Sequence, residues 1–258
     1  MNLAQITPLV LTYNEENNLD RTLSKLTWAS QILIIDSYST DRTLEIANIY
    51  PQVTILQRKF DTFADQCNFG LTQINTEWVL SLDADYHLSQ RLITRLNQLV
   101  QSSDISGYKV PLSYCIFGHP LKGTLLPPRI VLYRRTQASY INDGHAHRVL
   151  IQGRVETIQD VIYHDDRKPL SRWLWAQDRY LKIEAEKLKT TPWSRLSWAD
   201  RIRTFKILAP ILILFYCLIL KGGILDGWRG WYYAFQRVLA EILLSLRLIE
   251  PSSQEPLP

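Results

Sequence analysis

The amino-acid sequence predicts an α/β protein: an open, mostly parallel sheet with helices on both faces, followed by a helical extension. Three observations carry that prediction. Short, continuous apolar runs recur at residues 6–12, 32–35, 53–56 and 78–82, separated by segments with helical spacing. Such alternation builds parallel strands that are buried on both faces. Polar clusters follow the first, second and fourth runs, and in a parallel sheet those loops meet at one edge. Beyond Pro169 strand signals cease and helical spacing takes over.

The elements follow in order. The first strand stops at Tyr13-Asn14-Glu15-Glu16-Asn17, and after Asn18 the positions Leu19, Leu23 and Leu26 recur at helical spacing. The second strand ends at Asp36-Ser37-Tyr38-Ser39-Thr40-Asp41, and residues 43–50 continue as helix. The third strand leads through a polar helix at 64–71 to the fourth, which ends in a turn carrying Asp83 and Asp85; residues 89–99 are again helical. From 107 to 164 the pattern changes to short β-branched or aromatic runs broken by Gly and Pro, at 108–110, 130–133, 149–151 and 161–163. They read as the second half of a mixed sheet. The predicted boundaries are one domain at 1–166, a helical extension at 167–250 and a frayed tail at 251–258.

Composition narrows the function classes. Hydrophobic content of 46% and charge of 21% are those of a globular chain and exclude wholesale disorder. A net charge of +4 is too small to argue for nucleic acid. The charge is unevenly placed, however: residues 167–206 hold eleven Lys or Arg against four carboxylates, which favours an anionic surface such as phospholipid headgroups. Cys67, Cys115 and Cys217 are odd in number and widely spaced, so no disulfide framework is legible and a reducing compartment is expected. No charged and then apolar leader is legible at the N-terminus, which predicts that the sheet domain stays in the cytoplasm.

Asp83 and Asp85 stand at i, i+2 directly after a buried strand. Two hard-oxygen carboxylates there suit Mg²⁺ or Mn²⁺, ions that keep waters and bind phosphate-bearing substrates. Taken together, three motifs bear on this: Leu11-Thr12-Tyr13-Asn14-Glu15-Glu16, Asp36-Ser37-Tyr38-Ser39-Thr40-Asp41-Arg42-Thr43 and Ser81-Leu82-Asp83-Ala84-Asp85. Their order and spacing resemble family 2 glycosyltransferases of the GT-A (Rossmann-like) fold, and most of all the lipopolysaccharide-core β-glucosyltransferase type. The resemblance is specific over residues 5–100, looser to 165 and general beyond.

It implies a nucleotide-sugar donor, with a UDP-sugar expected, and a divalent metal. Tyr13 is placed to lie against the base, and Asp36 to accept the imide N–H of a uracil. Thr12, Asn14, Glu15 and Glu16 line the same edge, and Asp83 faces the ribose or a water held by the metal. Asp85 is the expected metal ligand, joined by His164 after the strand at 161–163, with Asp165 and Asp166 as alternatives. Arg42 and Arg58 are candidates for phosphate. Structural roles stay open for several of these residues: a helix cap for Asp36, first-turn carboxylates for Glu15 and Glu16, a core aromatic for Tyr13.

Transfer needs a base for the acceptor hydroxyl. The resembling family uses a carboxylate, often in a His-Glu pair, but here the stretch reads Asn142-Asp143-Gly144-His145-Ala146-His147-Arg148. Arg148 stands where Glu is expected, and an arginine is no base near neutral pH. Asp143 is the nearest carboxylate and the expected base, with Glu156 or a histidine as substitutes; the reaction then inverts the anomeric centre in one displacement.

Residues 207–220 are strongly apolar but, at fourteen residues and about 21 Å of helix, too short to span a bilayer. Pro210 lies inside the run. Trp193, Trp198, Trp228, Trp231, Tyr232 and Tyr233 flank it as interfacial anchors would. The expectation is a peripheral or monotopic enzyme at the cytoplasmic face of the inner membrane, acting on a lipid-linked or lipopolysaccharide-type glycan. A buried helical subdomain or dimer interface is the other reading of this segment. The rival functions are transfer onto a polyprenyl phosphate and a non-catalytic membrane-bound scaffold.

Overall fold

The computed structural model describes residues 2–99, 104–143 and 146–250, with the side chains of Asp143 and Ala146 outside the description. The chain divides into two compact units, one of residues 1–120 with 126–167 and one of 121–125 with 168–258.

The first unit opens with β1 (Ile6–Thr12), α1 (Leu19–Leu23), β2 (Ile32–Asp36), α2 (Thr43–Ala47), β3 (Val53–Gln57), α3 (Phe63–Gln73) and β4 (Trp78–Asp83). It continues through β5 (Tyr86–Leu88), α4 (Gln90–Gln98), β6 (Ile105–Val110), β7 (Leu112–Ile116), β8 (His119–Pro120) and β9 (Arg129–Arg134). Four strands complete it: β10 (Ala138–Asp143), β11 (Ala146–Ile151), β12 (Arg154–Thr157) and β13 (Ile162–His164). The main sheet has the order β12-β6-β9-β4-β1-β2-β3. Pairings β1–β2, β1–β4, β2–β3 and β12–β6 are parallel, whereas β9 runs against both β4 and β6. A smaller sheet, β5-β13-β7-β8, and the hairpin β10–β11 complete the unit.

Alternation along the strands divides the core in two. Ile6, Val10, Ile32, Ile34, Trp78 and Leu80 face one way and pack with Leu19, Leu23 and Leu92 of α1 and α4. Leu9, Leu33, Ile35 and Val79 face the other way, toward Ala64, Cys67 and Leu71 of α3 and toward Tyr140. Each fully buried Leu or Ile stabilises the fold by about 1.5–3 kcal/mol, so a sheet covered on both faces is the arrangement these apolar runs require. Gly70 lets α3 sit close, since a Cβ there would meet Leu9 Cδ1 at 2.6 Å.

Local sequence sets the helix ends. Thr62 caps α3 by accepting from the Asp65 amide, and Ser89 caps α4 by accepting from the Leu92 amide. Two helices are shorter than their periodicity predicts: α1 ends at Leu23, and α2 stops at Ala47, four residues before Pro51. Strands β5, β7, β10 and β12 are too short or too polar for their periodicity to reveal.

The second unit is helical: α5 (Leu170–Thr190), α6 (Trp198–Thr204), α7 (Leu208–Phe215) and α8 (Trp228–Ile249). Pro210 falls in the first turn of α7, where its missing N–H costs nothing, and a π turn over Tyr216–Leu220 carries the chain on. Arg203 joins α6 to α8 through Glu241 at 2.7 Å, while Lys187 reaches both Glu184 and Asp200. Two of the basic residues predicted to face an anionic surface are thus held by internal carboxylates. On α8 the apolar residues Trp228, Trp231, Phe235, Ile242, Leu246 and Ile249 are exposed at helical spacing along one stripe. Among the described residues no helix is long and apolar enough to cross a membrane.

Candidate functional site

The parallel strands β1, β2 and β4 end side by side, with Thr12 opposite Asp36 and Leu11 opposite Asp83. The polar loops that follow are joined by side chains. Asn14, at φ 56°, donates its amide to Ser39 Oγ at 2.9 Å and accepts from the Thr40 amide at 2.8 Å. The Glu15 amide donates to Thr43 Oγ1 at 2.7 Å, and the Arg42 amide donates to Glu16 at 3.2 Å. Glu15 also accepts from Asn18 Nδ2 at 3.0 Å. Tyr13 is an aromatic side chain 43% exposed at the sheet edge.

Asp36 departs from expectation. It is wholly buried, and both carboxylate oxygens are engaged internally. Oδ1 accepts from Thr12 Oγ1 at 2.8 Å and Ser39 Oγ at 2.6 Å; Oδ2 accepts from the Ser39 amide at 2.9 Å and Gln57 Nε2 at 3.3 Å. Rather than presenting a free acceptor to a base, Asp36 positions the two loops. The expected helix cap is not its role either, since Arg42 precedes α2. Tyr38, which sequence reasoning passed over, follows it with φ 61° and 55% exposure, a second aromatic at this edge.

Asp83 is the last residue of β4, and Asp85 sits in the turn to β5. Strand β13 pairs with β5 so that His164 lies opposite Tyr86, and the Asp165 amide donates to the Asp85 carbonyl at 3.1 Å. This ladder brings His164 Nε2 to 3.0 Å from Asp85 Oδ2, although the two residues are 79 positions apart. Tyr86 and Tyr114 flank the imidazole, with ring centroids at 5.2 and 4.9 Å. Burial opposes charge on His164, but the Asp85 carboxylate, with help from Asp83 and Asp166, outweighs it and raises the pKa.

The pair fits a divalent ion. An imidazole nitrogen and a carboxylate oxygen 3.0 Å apart are a donor set that would hold Mg²⁺ or Mn²⁺. His164 Nδ1 is buried and lacks a hydrogen-bond partner among the described residues. Among those residues no cluster of three or more His, Cys, Asp or Glu side chains encloses a metal. A two-residue grip is what an ion needs when substrate phosphate supplies further oxygens. Of the alternatives to His164, Asp165 is committed elsewhere: it accepts from Arg21 at 2.7 Å, Arg167 Nε at 2.8 Å and the Gly118 amide at 3.0 Å. Asp166 accepts from Asn18 at 3.1 Å.

Asp143 ends β10, and its side chain lies outside the described residues, as do Gly144 and His145. Strand β10, which carries Asp143, is anchored at Tyr140. Asn68 of α3 acts as a strand edge, with Nδ2 donating to the Tyr140 carbonyl and Oδ1 accepting from the Tyr140 amide, both at 2.9 Å. The hydroxyls of Tyr133 and Tyr140 meet at 2.7 Å. His147 is packed by the rings of Tyr140 and Phe63, and burial lowers its pKa, with Asp83 acting against this and Arg129 with it. Glu156 lies on β12, the edge strand farthest from β3, paired with Arg154 at 2.6 Å.

The phosphate candidates are taken by neighbours: Arg42 pairs with Glu45 at 3.2 Å and Arg58 with Asp61 at 2.5 Å.

Residues 9–160 match the family described as glycosyl transferase family 2. The chain is 23% identical over 247 residues to the lipopolysaccharide core biosynthesis glycosyltransferase LpsC of Rhizobium meliloti strain 1021, covering 89% of each chain. It is 26% identical over 178 residues to an uncharacterized glycosyltransferase of Rickettsia bellii, covering 62% of this chain and 59% of that one. Among solved structures it is similar to the mannosyltransferase PcManGT from Pyrobaculum calidifontis in complex with GDP-Man and Mn²⁺, with a TM-score of 0.50 at 13% identity, over 95% of this chain and 85% of that one. That likeness bears on the fold, which is the expected mixed, mostly parallel GT-A sheet. With the family match spanning more than half of the chain, the protein belongs to glycosyl transferase family 2 and is a glycosyltransferase.

Proposed function

We propose that the protein transfers a hexose from a nucleotide-sugar donor, a UDP-sugar, to a lipid-linked or lipopolysaccharide-type glycan by a single inverting displacement. The observation that carries this reading is the Asp85–His164 pair at the end of the sheet, beside Asp83 and the laced loops that present Tyr13. In it the donor base lies on Tyr13, and Thr12, Asn14, Glu15 and Asp36 keep the loops that receive it in place. Asp83, half-exposed, meets the ribose. Asp85 and His164 hold Mg²⁺ or Mn²⁺, which when bound supplies positive charge to the departing diphosphate. The named similarity to a lipopolysaccharide core enzyme supports the acceptor class, and the Mn²⁺ and GDP-Man of the solved mannosyltransferase support a metal and a nucleotide sugar.

The displacement balances as follows. The acceptor oxygen forms a bond to the anomeric carbon while the bond from that carbon to the β-phosphate oxygen breaks. The electron pair leaves with the nucleoside diphosphate, and the acceptor proton passes to the carboxylate of Asp143. No covalent sugar–enzyme intermediate forms, so configuration inverts.

The reading places the enzyme at the cytoplasmic face of the inner membrane, held peripherally or monotopically. The exposed apolar stripe of α8 and the exposed Ile211, Phe215 and Leu220 support this, because an amphipathic helix with tryptophans lies in the plane of the interface. The test is a hydrolysis and transfer screen of UDP-, GDP- and dTDP-sugars with Mn²⁺ or Mg²⁺, comparing wild type with Asp85→Ala. UDP-sugar turnover that requires the metal and is lost in the variant is expected. Undiminished turnover by Asp85→Ala would overturn the metal assignment, and turnover of none of the donors would overturn the reading.

A further inference from the structure

The donor site described above gathers negative charge. A nucleotide sugar brings a doubly charged diphosphate to an edge that already carries Asp83 and Asp85, and the leaving nucleoside diphosphate gains a further charge as the glycosidic bond breaks. A site of this kind needs a cation of its own aimed at the phosphates. Arg42 and Arg58, the basic residues of the nearer loops, are each ion-paired to a carboxylate three residues on.

Strand register places another cation there. β9 runs antiparallel to β4 with Leu80 opposite Leu132, so Arg129, the first residue of β9, lies toward the end of β4 that carries Asp83. The guanidinium Nη1 of Arg129 lies 3.5 Å from Asp83 Oδ2, and both side chains are close to half-exposed. Burial works against its charge, but Tyr86, Asp83 and Asp85 act the other way and hold its pKa above the ordinary value. A single contact at 3.5 Å is long for a charged hydrogen bond, and it leaves the planar fork able to turn. An arginine fork matches two phosphate oxygens, a geometry that a lysine lacks.

We infer that Arg129 is the donor-diphosphate clamp: it exchanges its long contact with Asp83 for the β-phosphate oxygens and stabilises the leaving nucleoside diphosphate. This rests on the nucleotide-sugar reading of the site. It assigns to the chain itself a share of the charge stabilisation that the metal would otherwise supply alone.

The test is equilibrium binding of UDP, UMP, GDP and GMP to the full chain by calorimetry, in EDTA and again with Mn²⁺. Wild type is compared with Arg129→Gln and Arg129→Lys. Wild type is expected to bind the diphosphate of its preferred base more tightly than the monophosphate. In Arg129→Gln the diphosphate Kd should rise about 10- to 100-fold while the monophosphate Kd stays within about twofold, which corresponds to the loss of a charged, bidentate phosphate contact. Arg129→Lys should recover only part of the preference. If Arg129→Gln does not fold, Arg129→Lys carries the test through the same ratio at an unchanged melting temperature. A preserved diphosphate preference in the variants, or an equal weakening of both nucleotides, overturns the role of Arg129. Failure of wild type to bind any of the four nucleotides instead overturns the donor-site reading on which the inference rests.

Discussion

Replacing Asp36 by Asn tests whether this carboxylate organises the loops or contacts the donor. The side chain has no exposed surface and accepts four hydrogen bonds, two on each oxygen. The amide of Asn is nearly isosteric, but it carries no charge: turned toward the Ser39 amide and Gln57 its NH₂ faces two N–H donors, and turned the other way it requires the Thr12 or Ser39 hydroxyl to rotate and accept. Hydrogen bonds to a charged group contribute about 1.5–3 kcal/mol each, so losing the charge and rearranging these bonds carries an expected net cost of about 2–4 kcal/mol. For a unit of this size that lowers the melting temperature by roughly 5–15 °C. Because Ser39 Oγ both donates to Asp36 and accepts from the Asn14 amide, the damage passes to the loop that presents Tyr13. Nucleotide affinity should fall along with stability. Differential scanning calorimetry, with and without a saturating nucleoside diphosphate, reads both effects. A variant that melts within about 2 °C of wild type yet has lost nucleotide binding would refute the reasoning, because Asp36 would then be a donor contact and not a positioning residue.

Three further outcomes are expected. Gly230→Ala should destabilise the helical unit by about 1–3 kcal/mol despite alanine's higher helix propensity, because its Cβ would stand 1.8 Å from the Gly223 carbonyl oxygen; an unchanged thermal transition would count against that packing. Changing Phe235, Ile242 and Leu246 together to Ser should reduce co-sedimentation with anionic phospholipid vesicles about tenfold or more while donor hydrolysis in solution persists, and undiminished sedimentation would exclude the α8 stripe as the contact. Asp200 is raised by burial but lowered more by Ser197, Lys187 and Arg203, so its folded pKa lies below the ordinary 3.8. Its contribution is complete above the unfolded value and is lost as pH falls through the folded one. Acid titration by circular dichroism should therefore show helix loss below about pH 4 that Asp200→Asn makes shallower, and identical profiles would remove Asp200 from the cause.

Much of the donor edge was legible because its determinants are local. The runs ending at Thr12, Asp36 and Asp83 each become a strand with its polar loop at the same edge, since continuous apolar runs require a sheet covered on both faces. His164 was legible as a candidate from its place after a short strand. Its partnership with Asp85 was expected from the family resemblance alone, because the 3.0 Å approach depends on β13 pairing with the unforeseen strand β5. Arg129 gave no signal of its own: it follows two prolines directly before the apolar run 130–133, and only the antiparallel placement of β9 beside β4 brings it to Asp83. Asp36 shows the opposite failure, a residue correctly placed at the edge whose carboxylate is turned inward by Thr12, Ser39 and Gln57.

By itself, then, the sequence determined the layered α/β unit, the edge at which its polar loops gather and the change to helices after Pro169. Apolar period, strand length and turn chemistry act within a few residues, and they are all that those features need. Tertiary structure alone decided which polar side chains meet. It set the 3.0 Å approach of His164 to Asp85, Asp83 against Arg129 and His147 between Phe63 and Tyr140, while closing Asp36 off from the surface. The physical reason is that hydrogen bonds and ion pairs act over about 3 Å, and residues tens of positions apart reach that distance only when sheet register brings them together.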